Sequence, residues 1–138
     1  MRDTERDGEA LRDDPVVRSK MANLHTEAEG GSRHGAQVRH RGGEGGERRQ
    51  GRKDFQPPTV AASEYKLFAT EYSVRLANAS MDIAGPGTQM RVRTDDAPME
   101  GRAESTYRYT VIDTIGGGAS EIQRNIIARR GLGLPKNF

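Results

Sequence analysis

The sequence predicts an all-α fold, an incomplete four-helix bundle that also contains a disordered Gly/Arg-rich segment. Apolar residues recur at helical spacing in four stretches, Gly or Pro follows each stretch, and strand-like composition is confined to one short run. Hydrophobic residues make up 33% of the 138 positions, below the usual ~45–50%. We therefore expect one domain, with part of the chain unstructured.

The N-terminal region predicts a tail followed by a helix. Residues 1–12 are nearly all charged and lack a periodic apolar face, so we expect a disordered tail. The first bundle helix is predicted over residues 13–30, because Asp14 can cap it and Pro15 suits the first helical position. Gly30-Gly31 is expected to end this helix, whose apolar side consists of Val17, Met21, Leu24 and Ala28.

Residues 31–57 differ from both flanks, because they contain seven glycines, six arginines and one lysine but few apolar residues. Glycine loses much backbone entropy on folding and nothing here offers burial in return, so the segment is predicted to be disordered. We interpret it as a solvated linker. The alternative is a nucleic-acid tether over residues 31–53, which is less favoured because acidic residues interrupt the positive charge and no aromatic residues alternate with the arginines.

The C-terminal portion, residues 58–138, contains the other predicted helices. Residues 59–84 have apolar residues on two sides, which indicates a helix that contacts protein on both, and Gly85-Pro86-Gly87 stops it. After a polar loop over 86–103, a short helix is predicted over 104–115, although its end, VIDTI, could equally form a strand. The last helix is predicted over 120–130, opened by a capping box between Ser120 and Gln123.

Composition excludes several function classes. The chain has no cysteine, so disulfides and thiolate chemistry are excluded, and its three histidines show no metal-ligand spacing. A formal charge of +2 does not require a polyanionic partner. No apolar run approaches the ~18 residues of a membrane span, and the first residues do not resemble a secretory signal. We expect a soluble, cytoplasmic chain without a membrane partner.

One local arrangement could carry chemistry. Gly116-Gly117-Gly118 leads directly into the predicted helix that begins at Ser120. Glycine backbone N–H groups next to a helix N-terminus favour an anionic group or a carbonyl that gains negative charge. The alternative is that the glycines form a simple hinge between two helices. The negative charge of Glu121 supports this alternative, because it would repel an anion.

Three segments resemble the C-terminal domain of acyl-CoA dehydrogenases. IDTIGGGASEIQRNIIARRGLGLPK (residues 112–136) is similar to the end of that domain, KLFATEYSVRLANASMDIAGPG (66–87) to its long helix and glycine turn, and DDPVVRSKMANLHTEAE (13–29) to its start. The resemblance implies a helical bundle that forms homo- or hetero-oligomers. It also implies FAD as cofactor, an acyl-CoA substrate that is oxidised between its α and β carbons, and an electron-transfer flavoprotein as partner.

The resemblance also implies site residues. Gly118 corresponds to a substrate contact, and Ala119, Ser120 and Glu121 correspond to flavin contacts. The turn after the long helix corresponds to contacts with the flavin of a neighbouring subunit, made by Asp82, Ile83, Ala84, Gly85 and Pro86.

Two departures from the family pattern indicate a truncated, non-catalytic chain. Many members place the catalytic glutamate where this sequence has Gly117, and glycine cannot accept a proton. The N-terminal helical domain and central β domain of the family have no counterpart in these residues. An alternative is a helical module that associates with intact dehydrogenase subunits. The composition of residues 30–57 would also fit a local disruption of the reading frame.

Overall fold

The computed structural model describes residues 5–6, 8–49 and 59–135, leaving out the side chains of Arg6 and of residues 39–49. Two antiparallel strands of two residues each precede four α-helices in this part of the chain. The elements are β1 (Glu5–Arg6), β2 (Glu9–Ala10), α1 (Pro15–Arg49), α2 (Thr59–Ala84), α3 (Arg102–Ile115) and α4 (Ser120–Ile126). Short 3-10 turns cover Pro86–Gln89 and Pro98–Gly101, and a π-helical turn covers Ile127–Gly131. The all-α fold class is confirmed.

The described residues form two compact units, and α1, α2 and α3 each contribute residues to both. The first unit contains the described residues up to Ala28 together with Tyr72–Asp113. The second unit contains those of Glu29–Glu71 together with the described residues from Thr114 onward.

The core of the first unit includes a residue of the predicted tail. Leu11, Val17 and Ile83 are buried against one another, and Met21 packs on them half-buried. The Asp13 N–H also donates to the Ala10 carbonyl over 2.9 Å. The predicted disorder of residues 1–12 is therefore wrong for the described residues, because burial of Leu11 offsets the entropy cost of ordering this segment. Residues 1–4 and 7 lie outside the described part.

The first helix extends well beyond its predicted end, because α1 continues through Gly30-Gly31 to Arg49. In the second unit, Gly31 and Gly35 are buried one turn apart on α1, where a Cβ would overlap the rings of Phe68 and Tyr65. Because glycine has no side chain, the two rings can approach the backbone of α1 closely. This aromatic packing compensates for the poor helix propensity of glycine. The predicted disorder is wrong for residues 31–49, and residues 50–57 lie outside the described part.

The other predicted helices are present, but α3 begins at Arg102 rather than at residue 104, and α4 ends at Ile126, where a π-helical turn follows, rather than at residue 130. The predicted bounds of α2 are confirmed, and it ends where Gly85 takes a left-handed φ of 80°. The buried Thr88 contributes to this end, since its hydroxyl donates to the Gly85 carbonyl over 2.6 Å. α3 runs to Ile115, so the alternative of a strand over VIDTI is wrong.

Candidate functional site

A glycine turn, residues Gly116–Ala119, connects α3 to α4 in the second unit. Gly117 and Gly118 have φ angles of 68° and 99°, in the left-handed region that favours glycine. A Cβ on Gly117 would meet no atom of the described residues within 4 Å, whereas one on Gly118 would lie 2.8 Å from Nε2 of Gln123. The turn therefore has one open side, at Gly117, and one closely packed side, at Gly118.

Two side chains bind the carbonyl oxygens of this turn. The Lys66 ammonium donates to the Gly118 carbonyl over 2.8 Å and lies 3.4 Å from that of Thr114. The Gln123 side-chain amide donates to the carbonyls of Gly117 and Gly118 over 2.9 and 3.2 Å. We call Lys66 and Gln123 the turn clamp. Because Thr114 belongs to the last turn of α3, the ammonium also lies at the negative end of that helix dipole.

The predicted capping box at the start of α4 is wrong. Ala119 occupies the N-cap position, and no side chain caps the helix there within the described residues. Ser120 is instead the first helical residue, and the Gln123 side chain binds the preceding turn. The capping-box pattern pairs the Gln123 side chain with the backbone of Ser120. In the structure, the positive φ angles of Gly117 and Gly118 bring their carbonyl oxygens close enough to accept from that side chain instead.

The predicted substrate contact and flavin contacts at the glycine turn are consecutive residues that differ in exposure. Gly118 and Ala119 are half-buried, Ser120 is buried and Glu121 is exposed. The first N–H groups of any α-helix lack acceptors within the helix, so α4 directs several donors toward the turn. This end of α4 thus combines backbone donors with an exposed carboxylate.

The second predicted group, Asp82 to Pro86, lies in the first unit. The Asp82 carboxylate is exposed and pairs with the Lys20 ammonium at 3.1 Å. The Ile83 side chain is buried in the core, which leaves only its backbone for a ligand. Ala84 and Gly85 are half-buried and Pro86 is exposed.

The sequence reasoning missed Lys66 as a site residue. Lys66 lies within the apolar pattern of α2, where a single lysine is usually a surface residue, and its acceptors are 48 and 52 residues away along the chain. The sequence predicts a capping role for Gln123, but its hydrogen-bond partners in the structure are the glycine carbonyls. Its burial, at 5% exposure, is the structural sign of its real role.

A cavity of about 160 Å³ lies in the first unit between α2 and the start of α3. Its lining is mostly apolar and includes Leu76, Ala77, Met99 and Ala103. None of the predicted site residues lines it. Within the described residues there is no group of acidic or histidine side chains that could hold a metal ion, and no helix long and apolar enough to cross a membrane.

Two mycobacterial proteins resemble part of the chain. The acyl-CoA dehydrogenase FadE26 of Mycobacterium tuberculosis is 37% identical over 86 residues, which cover 62% of this chain and 22% of that protein. The acyl-CoA dehydrogenase IpdE1 of the same organism is 42% identical over 72 residues, or 51% of this chain and 17% of that protein. The aligned residues thus correspond to about a fifth of the length of these relatives.

Solved structures share the fold. The ChsE4-ChsE5 complex from Mycobacterium tuberculosis matches with a TM-score of 0.83 at 28% identity, over 99% of this chain and 32% of that chain. A Tcur3481-Tcur3483 steroid ACAD matches with a TM-score of 0.77 over 92% of this chain and 30% of that chain, and its 21% identity supports the fold alone. The first of these structures is a complex of two named components.

The family model of the acyl-CoA dehydrogenase C-terminal domain matches residues 1–132, and so includes the glycine turn and the whole of α4. This match covers nearly the whole sequence, including the segment over which α1 was predicted to be interrupted. The chain belongs to the acyl-CoA dehydrogenase family and contains its C-terminal helical domain.

Proposed function

We propose that this chain supplies a flavin-contacting surface of an acyl-CoA dehydrogenase assembly and does not complete the reaction alone. Gly118 faces the acyl thioester in this proposal, and Ala119, Ser120 and Glu121 contact FAD. The turn from Asp82 to Pro86 contacts the flavin of a neighbouring subunit. The observation that carries the proposal is the clamped glycine turn at the start of α4.

The residues of the glycine turn fit a flavin contact. The clamp occupies the carbonyl oxygens of Gly117 and Gly118. The backbone N–H groups at the start of α4 therefore remain available to bind a ligand. The open space beside Gly117 gives a ligand access to the turn. Positive partial charge at a helix N-terminus favours electron-rich atoms such as carbonyl oxygens and phosphates.

The side chains at this turn do not supply a base. When bound, FAD would supply the acceptor for the hydride that leaves the β-carbon of the acyl group. A carboxylate must remove the α-proton, and this chain has Gly117 at the position where many family members carry that glutamate. Glu121 lies on the exposed side of α4 and is assigned here to the flavin surface. Proton abstraction is therefore assigned to another part of the assembly.

Two measurements test this proposal. The purified chain is mixed with FAD and acyl-CoA thioesters without oxygen, and the visible absorption band of the flavin is followed, with a complete acyl-CoA dehydrogenase as positive control. We expect the flavin to remain oxidised with this chain. Bleaching of the band by the chain alone contradicts the non-catalytic assignment.

The flavin contact is tested in a complex. The chain is co-expressed with full-length acyl-CoA dehydrogenase subunits, and FAD per complex is measured for Glu121→Trp and for Asn125→Trp. Both positions are exposed on α4, one turn apart, so neither change should disturb folding. We expect a bulky ring at Glu121 to reduce bound FAD and the ring at Asn125 to leave it unchanged. Equal FAD content in both variants contradicts the proposed contact.

An association role is favoured by apolar side chains on α3. Tyr109 and Ile112 lie one helical turn apart and are 62% and 59% exposed. Exposed apolar residues at this spacing are typical of a helix that packs against another protein. We propose that α3 contacts a second dehydrogenase subunit, as expected for a member of a hetero-oligomer.

This association is tested by sedimentation of co-expressed subunits. Ile112→Asp should dissociate the complex, because a buried unpaired carboxylate is costly at an interface. Val16→Asp is the control, since Val16 is equally exposed on α1. If both variants remain assembled to the same extent, α3 is not the contact.

A further inference from the structure

We infer that Lys66 is the positioning residue of the glycine turn: its ammonium joins the end of α3 to the start of α4 and fixes the turn for its ligand. This inference deepens the proposed function and rests on it for the identity of the ligand. The placement of the turn by Lys66 can be measured without any ligand. Lys66 is thus assigned a role through the turn rather than a contact with substrate or cofactor.

The geometry makes Lys66 the link between two helices. It contacts the carbonyl oxygens of Thr114, in the last turn of α3, and of Gly118, just before α4. Carbonyl oxygens in the last turn of a helix are available to donors from outside the helix, and the partial negative charge there attracts the Lys66 ammonium. Hydrogen bonds from a charged donor are stronger than those from a neutral one. One side chain of α2 therefore holds both ends of the glycine turn.

Gln123 makes the arrangement specific. Its amide group shares the Gly118 oxygen with Lys66 and additionally binds that of Gly117, so both left-handed glycines are fixed by side chains. Glycine is the residue with the greatest backbone freedom, and three in succession would otherwise sample many conformations. The clamp removes that freedom before a ligand arrives, which reduces the entropy cost of binding.

The first test uses the chain alone, labelled with nitrogen-15. Lys66→Met removes the charge but keeps a long, unbranched side chain and the helix propensity. Lys20→Met is the matched control, because Lys20 lies in an exposed ion pair of the first unit.

We expect Lys66→Met to shift the amide signals of Gly117 and Gly118. It should also speed hydrogen exchange of the backbone N–H of Gln123, which donates to the Ala119 carbonyl, by about tenfold. Lys66→Arg should restore most of the protection, and Lys20→Met should change none of these signals.

The outcomes separate the inference from the proposed function. Unchanged glycine signals in Lys66→Met overturn the inference, whatever the chain binds. If Lys66→Met does not fold, Lys66→Gln must show the same local change, and unchanged signals there overturn it equally.

The second test measures FAD affinity of co-expressed complexes, where we expect about a tenfold higher Kd for Lys66→Met and recovery of affinity in Lys66→Arg. Equal affinity of Lys66→Met and the unmodified chain overturns the link to the ligand. A lack of FAD in the unmodified complex would instead refute the proposed function.

Discussion

Gly31 lies directly against the ring of Phe68, so closely that a Cβ on Gly31 would overlap the Cε1 atom of the ring. The neighbouring Gly30 is exposed and a Cβ there would meet no atom within 4 Å. Two adjacent glycines of the same helix therefore have opposite roles. Gly31 permits packing between α1 and α2, whereas Gly30 only lowers the helix propensity of α1.

This contrast predicts opposite effects of two alanine substitutions. Gly30→Ala should raise the free energy of unfolding by about 0.5–1 kcal/mol, because alanine is the better helix former. Gly31→Ala should lower it by about 1–2 kcal/mol, since overpacking against Phe68 exceeds the gain in propensity. Urea unfolding followed by circular dichroism measures both. Stabilisation by Gly31→Ala would show that residues 29–49 do not pack on α2 as described.

The same contrast explains what the sequence could and could not predict of the fold. The bounds of α2 followed from its apolar pattern and from the stop at Gly85-Pro86, both of which are local signals. The continuation of α1 depends on Tyr65 and Phe68, about 30 residues further along the chain. The glycine content of the segment indicates a high entropy cost of folding. The local sequence contains no sign of the aromatic rings that compensate for this cost.

The candidate site was predictable in part for the same reason. Three consecutive glycines indicate a break between two helices, and in the structure Gly117 and Gly118 adopt positive φ angles. The position of the turn depends on Lys66, whose contact with Gly118 spans 52 residues and has no local pattern. The assignments of Ala119, Ser120 and Glu121 to flavin contacts remain predictions from the family resemblance.

Burial of Leu11 predicts that the N-terminal segment contributes to stability. Leu11→Ala should lower the free energy of unfolding by about 2–4 kcal/mol, because it removes a buried side chain from the contact with Val17 and Ile83. Val16→Ala is the control, since Val16 is exposed, and it should change stability by less than about 0.5 kcal/mol. Denaturant unfolding measures both. Equal effects of the two substitutions would mean that residues 8–12 are not packed on the helices.

The start of α1 predicts a second matched pair. One oxygen of the Asp14 carboxylate accepts hydrogen bonds from the N–H groups of Val16 and Val17 over 2.7 and 3.2 Å, as expected of a helix cap. Asp14→Ala should therefore cost about 1 kcal/mol of stability. Asp13→Ala should cost less than about 0.5 kcal/mol, because Asp13 is exposed and its side chain pairs with the exposed Arg12 at 3.4 Å. Thermal unfolding of both variants measures the difference, and an equal loss would reassign the cap.

The two sides of the glycine turn predict different costs for alanine. Gly117→Ala should lower stability by about 1 kcal/mol, because its only cost is a left-handed φ. Gly118→Ala should lower it by about 3 kcal/mol, since its Cβ would also displace the Gln123 amide and break the contacts with both glycine carbonyls.

A double-mutant cycle with Gln123→Ala isolates this second contribution. Once the Gln123 amide is absent, Gly118→Ala loses its steric conflict and should cost no more than Gly117→Ala does. Urea unfolding of the single and double variants gives the coupling energy between positions 118 and 123, expected at about 2 kcal/mol. A coupling near zero would mean that the amide of Gln123 moves aside freely. In that case Lys66 alone would hold the turn, and substitution of Gln123 would leave the amide signals of Gly117 and Gly118 unchanged.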